Sequence, residues 1–194
     1  MQKESHYEEL YDRMIKTAAC RFAANDRLRA HHNISLWTIT FFSMGLIAIP
    51  LIETFHLKTN FSSNYSSFIQ VVLAVVILVI SILLNMASFS VRAEKMHQCG
   101  LLVSALSSKV HRHVNEKSSS VKYDDLVKEY DNILQRVENH SRVDYLYAKK
   151  NLTSYYNNPW YFPIVARSQY LFQFLPYIAL LGIEAVWLFM LVAR

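Results

Sequence analysis

Two long apolar segments, residues 34–52 and 68–91, constrain this chain more than any other feature of its sequence. They run for about 19 and about 24 positions without a charged residue, and a helix of about 20 residues crosses the hydrocarbon core of a bilayer. Lipid requires every backbone N–H and C=O to be paired inside the segment, which a helix achieves. We therefore predict a transmembrane helical hairpin to which the other segments are attached.

The composition favours helices over the strands of a membrane barrel. Of the 194 residues, 53% are hydrophobic and three are glycines, whereas a barrel needs many short alternating strands joined by turn residues. The predicted fold class is an all-α integral membrane protein. Residues 1–9 are polar and acidic, so we expect no cleavable signal peptide, and the first apolar segment stays as an anchor.

The segments outside the hairpin also have helical patterns. Residues 1–33 are predicted to form an amphipathic cytoplasmic helix, since apolar side chains recur at spacings of three and four. Residues 92–169 are predicted to form a cytoplasmic helical bundle that ends in an interfacial aromatic segment. In that region we expect the second span to continue unbroken to Lys117, a serine run at 118–120, and one helix over residues 121–151. Residues 170–194 are predicted to contain a third transmembrane helix.

The loop between the spans and the distribution of charge predict the topology. Pro50 is expected to end or kink the first span before a short loop at 53–67. That loop contains Lys58, while six Lys and Arg residues precede the first span and twelve lie between Arg92 and Arg167. Because basic residues collect on the cytoplasmic side, we predict a multi-pass protein of the bacterial inner membrane whose N-terminus is cytoplasmic.

Four arginines near the predicted membrane surface are candidates for headgroup contacts: Arg21, Arg27, Arg29 and Arg92. Basic side chains at this position contact anionic headgroups and set topology. The alternative is that these arginines contact the phosphate of a nucleotide signal. The charge of the cytoplasmic region is dispersed rather than gathered in a stripe, so we expect no direct sequence-specific binding of nucleic acid.

No catalytic pattern is found in the sequence. It has no glycine-rich phosphate loop, no metal-ligand spacing and no nucleophile beside an obvious base. We therefore predict that the protein is not an enzyme and has neither a metal site nor a cofactor. Cys20 and Cys99 are expected to be free thiols packed in helices, and His111 and His113 are interpreted as surface residues.

Polar residues inside the spans are the candidates for function. On the second span, Gln70, Ser81, Asn85 and Ser88 fall within roughly 60° of one another at about 100° per residue. On the third, Glu184 lies near the middle, where inserting an acidic residue costs about 2.5–3.5 kcal/mol. These five residues are candidate pore-lining residues, and the alternative is hydrogen bonding between packed helices. Because three spans cannot enclose an aqueous path, a pore requires a homo-oligomer in the bilayer.

Three stretches of the chain carry a resemblance to a known family. They are Arg21-Phe22-Ala23-Ala24-Asn25-Asp26-Arg27-Leu28 with His32-Asn33-Ile34-Ser35, Val91-Arg92-Ala93-Glu94-Lys95-Met96-His97, and Glu138-Asn139-His140-Ser141-Arg142-Val143-Asp144-Tyr145. With them, nearly the whole chain resembles the SLATT family (SMODS and SLOG-associating 2TM effector domains). It is most similar to the fifth subfamily, which is associated with reverse transcriptases.

The resemblance implies a pore-forming effector of bacterial anti-phage or nucleotide-signalling defence. Such an effector is inactive until a cytoplasmic partner, such as a reverse transcriptase or a nucleotide signal, releases it. The family name implies two spans, whereas this sequence offers a third. Our hypothesis is an oligomer that leaks ions across the inner membrane when triggered. The alternative is a non-conducting anchor or adaptor that recruits a cytoplasmic enzyme.

Overall fold

The computed structural model describes residues 2–55, 62–116 and 122–192, and these residues form seven helices without any strand. The helices are α1 (Gln2–Thr54), α2 (Ser63–Ala87), α3 (Phe89–Glu116), α4 (Tyr123–Gln135), α5 (Arg142–Asn151), α6 (Phe162–Phe172) and α7 (Leu175–Val192). The predicted all-α fold class is confirmed. The chain divides into two compact units. Unit 1 comprises Met1–Arg29 and Ser90–Tyr170, and unit 2 comprises Ala30–Phe89 and Leu171–Arg194.

Unit 1 is a helical bundle with its own apolar core. One cluster joins Leu10 and Met14 of α1 to Val103 and Leu106 of α3 and to Leu126 of α4. A hydrogen bond of 2.8 Å between Thr17 Oγ1 and the Tyr130 hydroxyl adds a polar link between α1 and α4. Helix α5 packs on α1 through a smaller cluster that includes Cys20, Ala23 and Ala148. Through the first cluster, helix α4 packs against both α1 and α3.

Unit 2 contains the apolar parts of α1, α2 and α7. Large apolar side chains cover its outer surface and are half or more exposed in the single chain, among them Trp37, Leu78 and Phe189. Two helices are long and apolar enough to cross a membrane, and α6 with α7 makes a third span if this bent pair crosses as one. An exposed apolar surface of this extent suits lipid as the solvent.

Helix α1 combines two segments that the sequence analysis separated. It runs through the predicted boundary at residue 33 and continues four residues beyond Pro50 to Thr54. Pro50 therefore does not end the first span, and the alternative that it kinks the helix stays a prediction. Proline removes one backbone donor from a helix, and transmembrane helices tolerate that loss.

The helix of the second span is interrupted at Ser88, where we expected it to continue. Helix α2 ends at Ala87, and Ser88 has left-handed backbone angles of φ 47° and ψ 41°. Its backbone N–H and its hydroxyl both donate to the carbonyl oxygen of Asn85, at 3.2 Å and 3.0 Å. Serine hydroxyls that bond to nearby backbone compete with helical hydrogen bonding, which accounts for a break without glycine or proline.

Two further predicted helices are also divided. The helix expected over 121–151 is split into α4 and α5 by a turn at residues 136–141, and Ser141 caps α5. The third apolar segment is split at residues 173–174 into α6 and α7. Lys58 and the serine run at 118–120 lie outside the described residues.

Candidate functional site

Glu184 is the acidic residue buried deepest in unit 2. It is the tenth of the 18 residues of α7 and is 3% exposed. Neither carboxylate oxygen has a hydrogen-bond partner among the described residues. Because an unpaired buried carboxylate is costly, this position is not explained by the stability of the single chain.

Gly45 of α1 provides the space that the Glu184 side chain occupies. A methyl group at Gly45 would collide with Glu184 Oε1, and the carboxyl carbon would lie 3.4 Å from it. Gly45 also lies near the middle of its apolar segment, so the two residues meet near the middle of both segments. Gly45 was not among the residues predicted from the sequence. Its signal was a glycine inside an uncharged helical run, which often marks close approach in membrane helices.

The other four pore-lining candidates lie on α2 or directly after it. Gln70 and Ser81 are half-buried on α2, whereas Asn85 and Ser88 are exposed in the single chain. The predicted common face is wrong at Ser88, because the left-handed residue lies beyond the end of the helix. The lining of a pore by these residues stays a prediction.

Arg21, Arg27 and Arg92 converge on one short part of unit 1. Arg21 Nη1 donates to the carbonyl oxygen of Glu138, and Arg92 Nε donates to the Glu138 carboxylate at 2.6 Å. Arg27 makes two hydrogen bonds to the Asp144 carboxylate, at 2.7 Å and 3.1 Å. We call residues 136–144, which these side chains hold, the arginine-held turn.

Asp144 connects this turn to the start of α5. Its carboxylate accepts from the backbone N–H and the hydroxyl of Ser141, both at 2.8 Å, in a capping box that begins the helix. Asp144 is 1% exposed and the Arg27 side chain is 13% exposed. This role was not predicted from the sequence, although a serine followed three residues later by an acid is a known start signal.

The placement of the arginines corrects part of the headgroup prediction. Arg21 is 1% exposed and lies against the Met96 sulfur at 3.5 Å, so it is not placed as a headgroup contact. Arg27 is also largely buried in its ion pair. Arg29 is exposed and lies 3.8 Å from Glu94, and Arg92 remains partly exposed. A long basic side chain can be buried when packing and hydrogen bonds replace its water.

Burial also changes the acid–base properties of unit 1. It raises the pKa of Cys20 to about 11, with the nearby Asp144 carboxylate adding to the effect. It lowers the pKa of His140, which the Arg21 charge lowers further. Cys20 and Cys99 are free thiols, as expected. His111 is exposed, as expected, and contacts the Tyr11 ring, whereas His113 is half-buried against the Tyr7 ring.

These features define the class of protein: an all-helical membrane protein with a helical bundle and a carboxylate buried in its apolar unit. The model of SMODS and SLOG-associating 2TM effector domain family 5 matches residues 3–191, and the chain belongs to this family. Family membership implies a membrane effector of defence systems. No curated protein and no solved structure matches the chain.

Proposed function

We propose that this protein is a pore-forming effector that oligomerises in the bacterial inner membrane and leaks ions when it is triggered. The observation that carries the proposal is Glu184, a carboxylate at the middle of α7 without a hydrogen-bond partner in the described chain. Ionisable groups inside membrane segments commonly mark ion or substrate paths. In the resting state, contact with Gly45 seals this group between α1 and α7.

Exposed polar groups on α2 support assembly into an oligomer. Asn85 is exposed in the single chain although it lies near the end of a strongly apolar helix. Asn side chains hydrogen-bond across membrane helices, so a second copy would provide the partner that lipid cannot. When copies assemble around an axis, movement of α7 away from Gly45 would bring Glu184 into contact with water in a shared path.

The charge distribution supports a cytoplasmic N-terminus in this proposal. Arg27, Arg29, Arg92 and Lys95 lie close in sequence to the apolar runs, and basic residues near spans are retained on the cytoplasmic side. Reporter fusions test this orientation. An alkaline phosphatase fused at the loop between residues 52 and 68 should be active in the periplasm, and one fused before residue 1 should be inactive.

The arginine-held turn is our candidate for the trigger element. Arg92 and Arg27 are paired with the carboxylates of Glu138 and Asp144, and Arg21 donates to the backbone carbonyl oxygen of Glu138. An anionic signal or a partner protein would have to compete for these arginines. Arg92 is the most accessible of the three. A nucleotide signal or a cytoplasmic partner such as a reverse transcriptase would act by releasing this turn.

Membrane potential during toxic expression tests the proposal. With a voltage-sensitive dye in a bacterial host, the native chain should depolarise cells, and Glu184→Leu and Asn85→Leu should reduce depolarisation at equal membrane content. The matched control is Ile183→Leu, since Ile183 is an exposed apolar neighbour on α7. Growth arrest by the native chain with an unchanged membrane potential would contradict the proposal.

A second experiment separates the pore from the anchor or adaptor. Replacing residues 34–52 and 68–91 by polyleucine helices keeps a hairpin of the same length but removes its polar groups. An adaptor would retain its toxicity after this replacement, because its spans only hold it at the membrane. A pore-forming effector would lose both toxicity and depolarisation.

A further inference from the structure

A cavity in unit 1 lies directly before α6 in the sequence. It has a volume of about 520 Å³ and is lined by Lys150, Thr153, Ser154, Tyr156, Asn157 and Trp160 among others. This volume is within the range of small-ligand sites. No Asp or Glu lines the cavity within the part of the chain that the structure describes. The lining thus contains hydroxyl and amide groups and one basic residue, Lys150.

Three lysines beside this cavity rest on aromatic rings instead of carboxylates. Lys150 Nζ lies 4.1 Å from the centre of the Tyr147 ring, and Lys149 Nζ lies 5.1 Å from that of Tyr156. Lys16 Nζ lies 5.6 Å from the Tyr156 ring centre. None of the three lysines makes an ion pair with a described residue. Aromatic rings attract a cation but do not neutralise it, so positive charge remains available to an anion.

The rim of the cavity is apolar and exposed. Trp160 is 85% exposed, Tyr161 beside it is exposed, and Ile164 and Val165 continue an exposed apolar surface onto α6. Asn158 Nδ2 donates to the Lys149 carbonyl oxygen at 3.0 Å and holds the loop in place. Trp and Tyr settle at headgroup depth because their rings are amphipathic. An exposed apolar rim favours a lipid as the ligand over a free, water-soluble phosphate.

We propose that this cavity binds the phosphate diester of an anionic phospholipid headgroup, with Lys150 as the cation that contacts the phosphate and the Trp160 ring lying at headgroup depth beside it. The hydroxyl and amide groups of the loop would donate to the phosphate oxygens, and charge-assisted hydrogen bonds of this kind are stronger than neutral ones. The proposal does not depend on pore formation. It concerns how unit 1 contacts the membrane surface.

Lipid binding to the purified full chain tests this site. Native mass spectrometry in a neutral detergent compares dioleoyl phosphatidylglycerol with dioleoyl phosphatidylcholine, which share their acyl chains. We expect the dissociation constant for phosphatidylglycerol to be about tenfold lower, because the choline cation of phosphatidylcholine offsets the charge of its phosphate and is repelled by Lys150. Lys150→Ala should remove this preference, and Lys150→Arg should keep it.

Matched variants make the result specific to the cavity. Lys128→Ala removes the same charge from an exposed position on α4 and should leave the preference intact. An equal loss in Lys128→Ala, an unchanged preference in Lys150→Ala, or equal binding of the two lipids would overturn the proposal. Displacement of phosphatidylglycerol by an equal concentration of glycerol phosphate would also overturn it, since the ligand would then be free phosphate. Glu184→Leu should bind lipid normally, which separates this test from that of the pore.

Discussion

Unit 1 and unit 2 each bury a carboxylate, but only one of the two carboxylates has partners among the described residues. In unit 1, Asp144 accepts hydrogen bonds from Arg27 and Ser141 and begins a helix. In unit 2, Glu184 lies against Gly45 with both oxygens unpaired. Pairing offsets part of the desolvation cost of a buried charge, and a buried charge without a partner carries that cost in full. The comparison therefore assigns Asp144 to structure and leaves Glu184 to be explained by function.

Close approach at glycine differs between the units in the same way. In unit 1, a methyl group at Gly100 would come within 2.9 Å of the Phe22 ring, so an apolar group fills the space. In unit 2 the corresponding space beside Gly45 is filled by the Glu184 carboxylate. One glycine serves packing between apolar surfaces, whereas the other admits a polar group into the middle of an apolar unit.

The largest expected effect is the loss of the paired carboxylate in unit 1. Asp144→Asn leaves Arg27 buried without a counter-charge and should lower the free energy of opening of α5 by about 3–5 kcal/mol. Hydrogen–deuterium exchange of the α5 amides measures this change. Glu94→Gln removes the exposed partner of Arg29 and should cost no more than about 1 kcal/mol. Equal effects of the two variants would contradict the distinction between a buried carboxylate with a structural role and an exposed one.

The second prediction concerns the reactivity of the buried Cys20 thiol in unit 1. Because burial raises the pKa of Cys20 to about 11 from an ordinary value of 9.0, its thiolate fraction at neutral pH should fall by about 100-fold. In a Cys99→Ser background, maleimide should label Cys20 at least that much more slowly before unfolding than after it. A cysteine at the exposed position Ser108, in a chain lacking both native thiols, should react rapidly. Rapid labelling of native Cys20 would show that water enters the core.

The third prediction sharpens the contact at the centre of unit 2. Gly45→Ala places a methyl group against the Glu184 carboxylate and should destabilise the chain by about 1–3 kcal/mol, as overpacking does. Gly182→Ala is the control, since no described heavy atom outside the adjacent helix backbone lies within 4 Å of its added methyl group. Thermal melting in detergent compares them. Restored stability in the Gly45→Ala, Glu184→Ala double variant would confirm the contact, and equal melting of the two single variants would refute it.

The smallest effect is a pH dependence in unit 1. Burial lowers the pKa of His140 below its usual 6.5, so between the two values the unfolded chain binds more protons than the folded one. Stability therefore rises with pH through this window and is complete above about 6.5. The melting temperature of the native chain should fall as the pH drops through this window. That of His140→Gln should fall less, because the titrating group has been removed. A native chain that grows more stable as the pH falls below 6.5 would contradict the assignment.

The sequence was sufficient to predict the membrane spans but not the pairing of distant charges. The long uncharged runs predict that lipid surrounds unit 2. The spacing of Leu10 and Met14 indicates the buried face of α1. The bond between Arg27 and Asp144 joins residues 117 positions apart, and one sequence contains no signal for it. Arg21 was misassigned because a basic side chain near a span normally remains in water or headgroups.

The helix breaks differ in whether the sequence contains a signal that predicts them. The turn before α5 carried a readable signal, since Ser141 and Asp144 have the spacing of a capping box. The break at Ser88 carried no glycine or proline and depends on backbone angles that serine seldom adopts. The third segment is divided at residues 173–174, so Gln173 lies outside α7, which begins at Leu175.

Conductance of the purified chain in a planar bilayer tests the central claim most directly, namely that unit 2 conducts ions through a path that Glu184 reaches. After confirmed insertion, the account predicts discrete openings in the native chain, unchanged openings in Ile183→Leu and strongly reduced current in Glu184→Leu. An inserted native oligomer that carries no current, or a Glu184→Leu current equal to the native one, would contradict it.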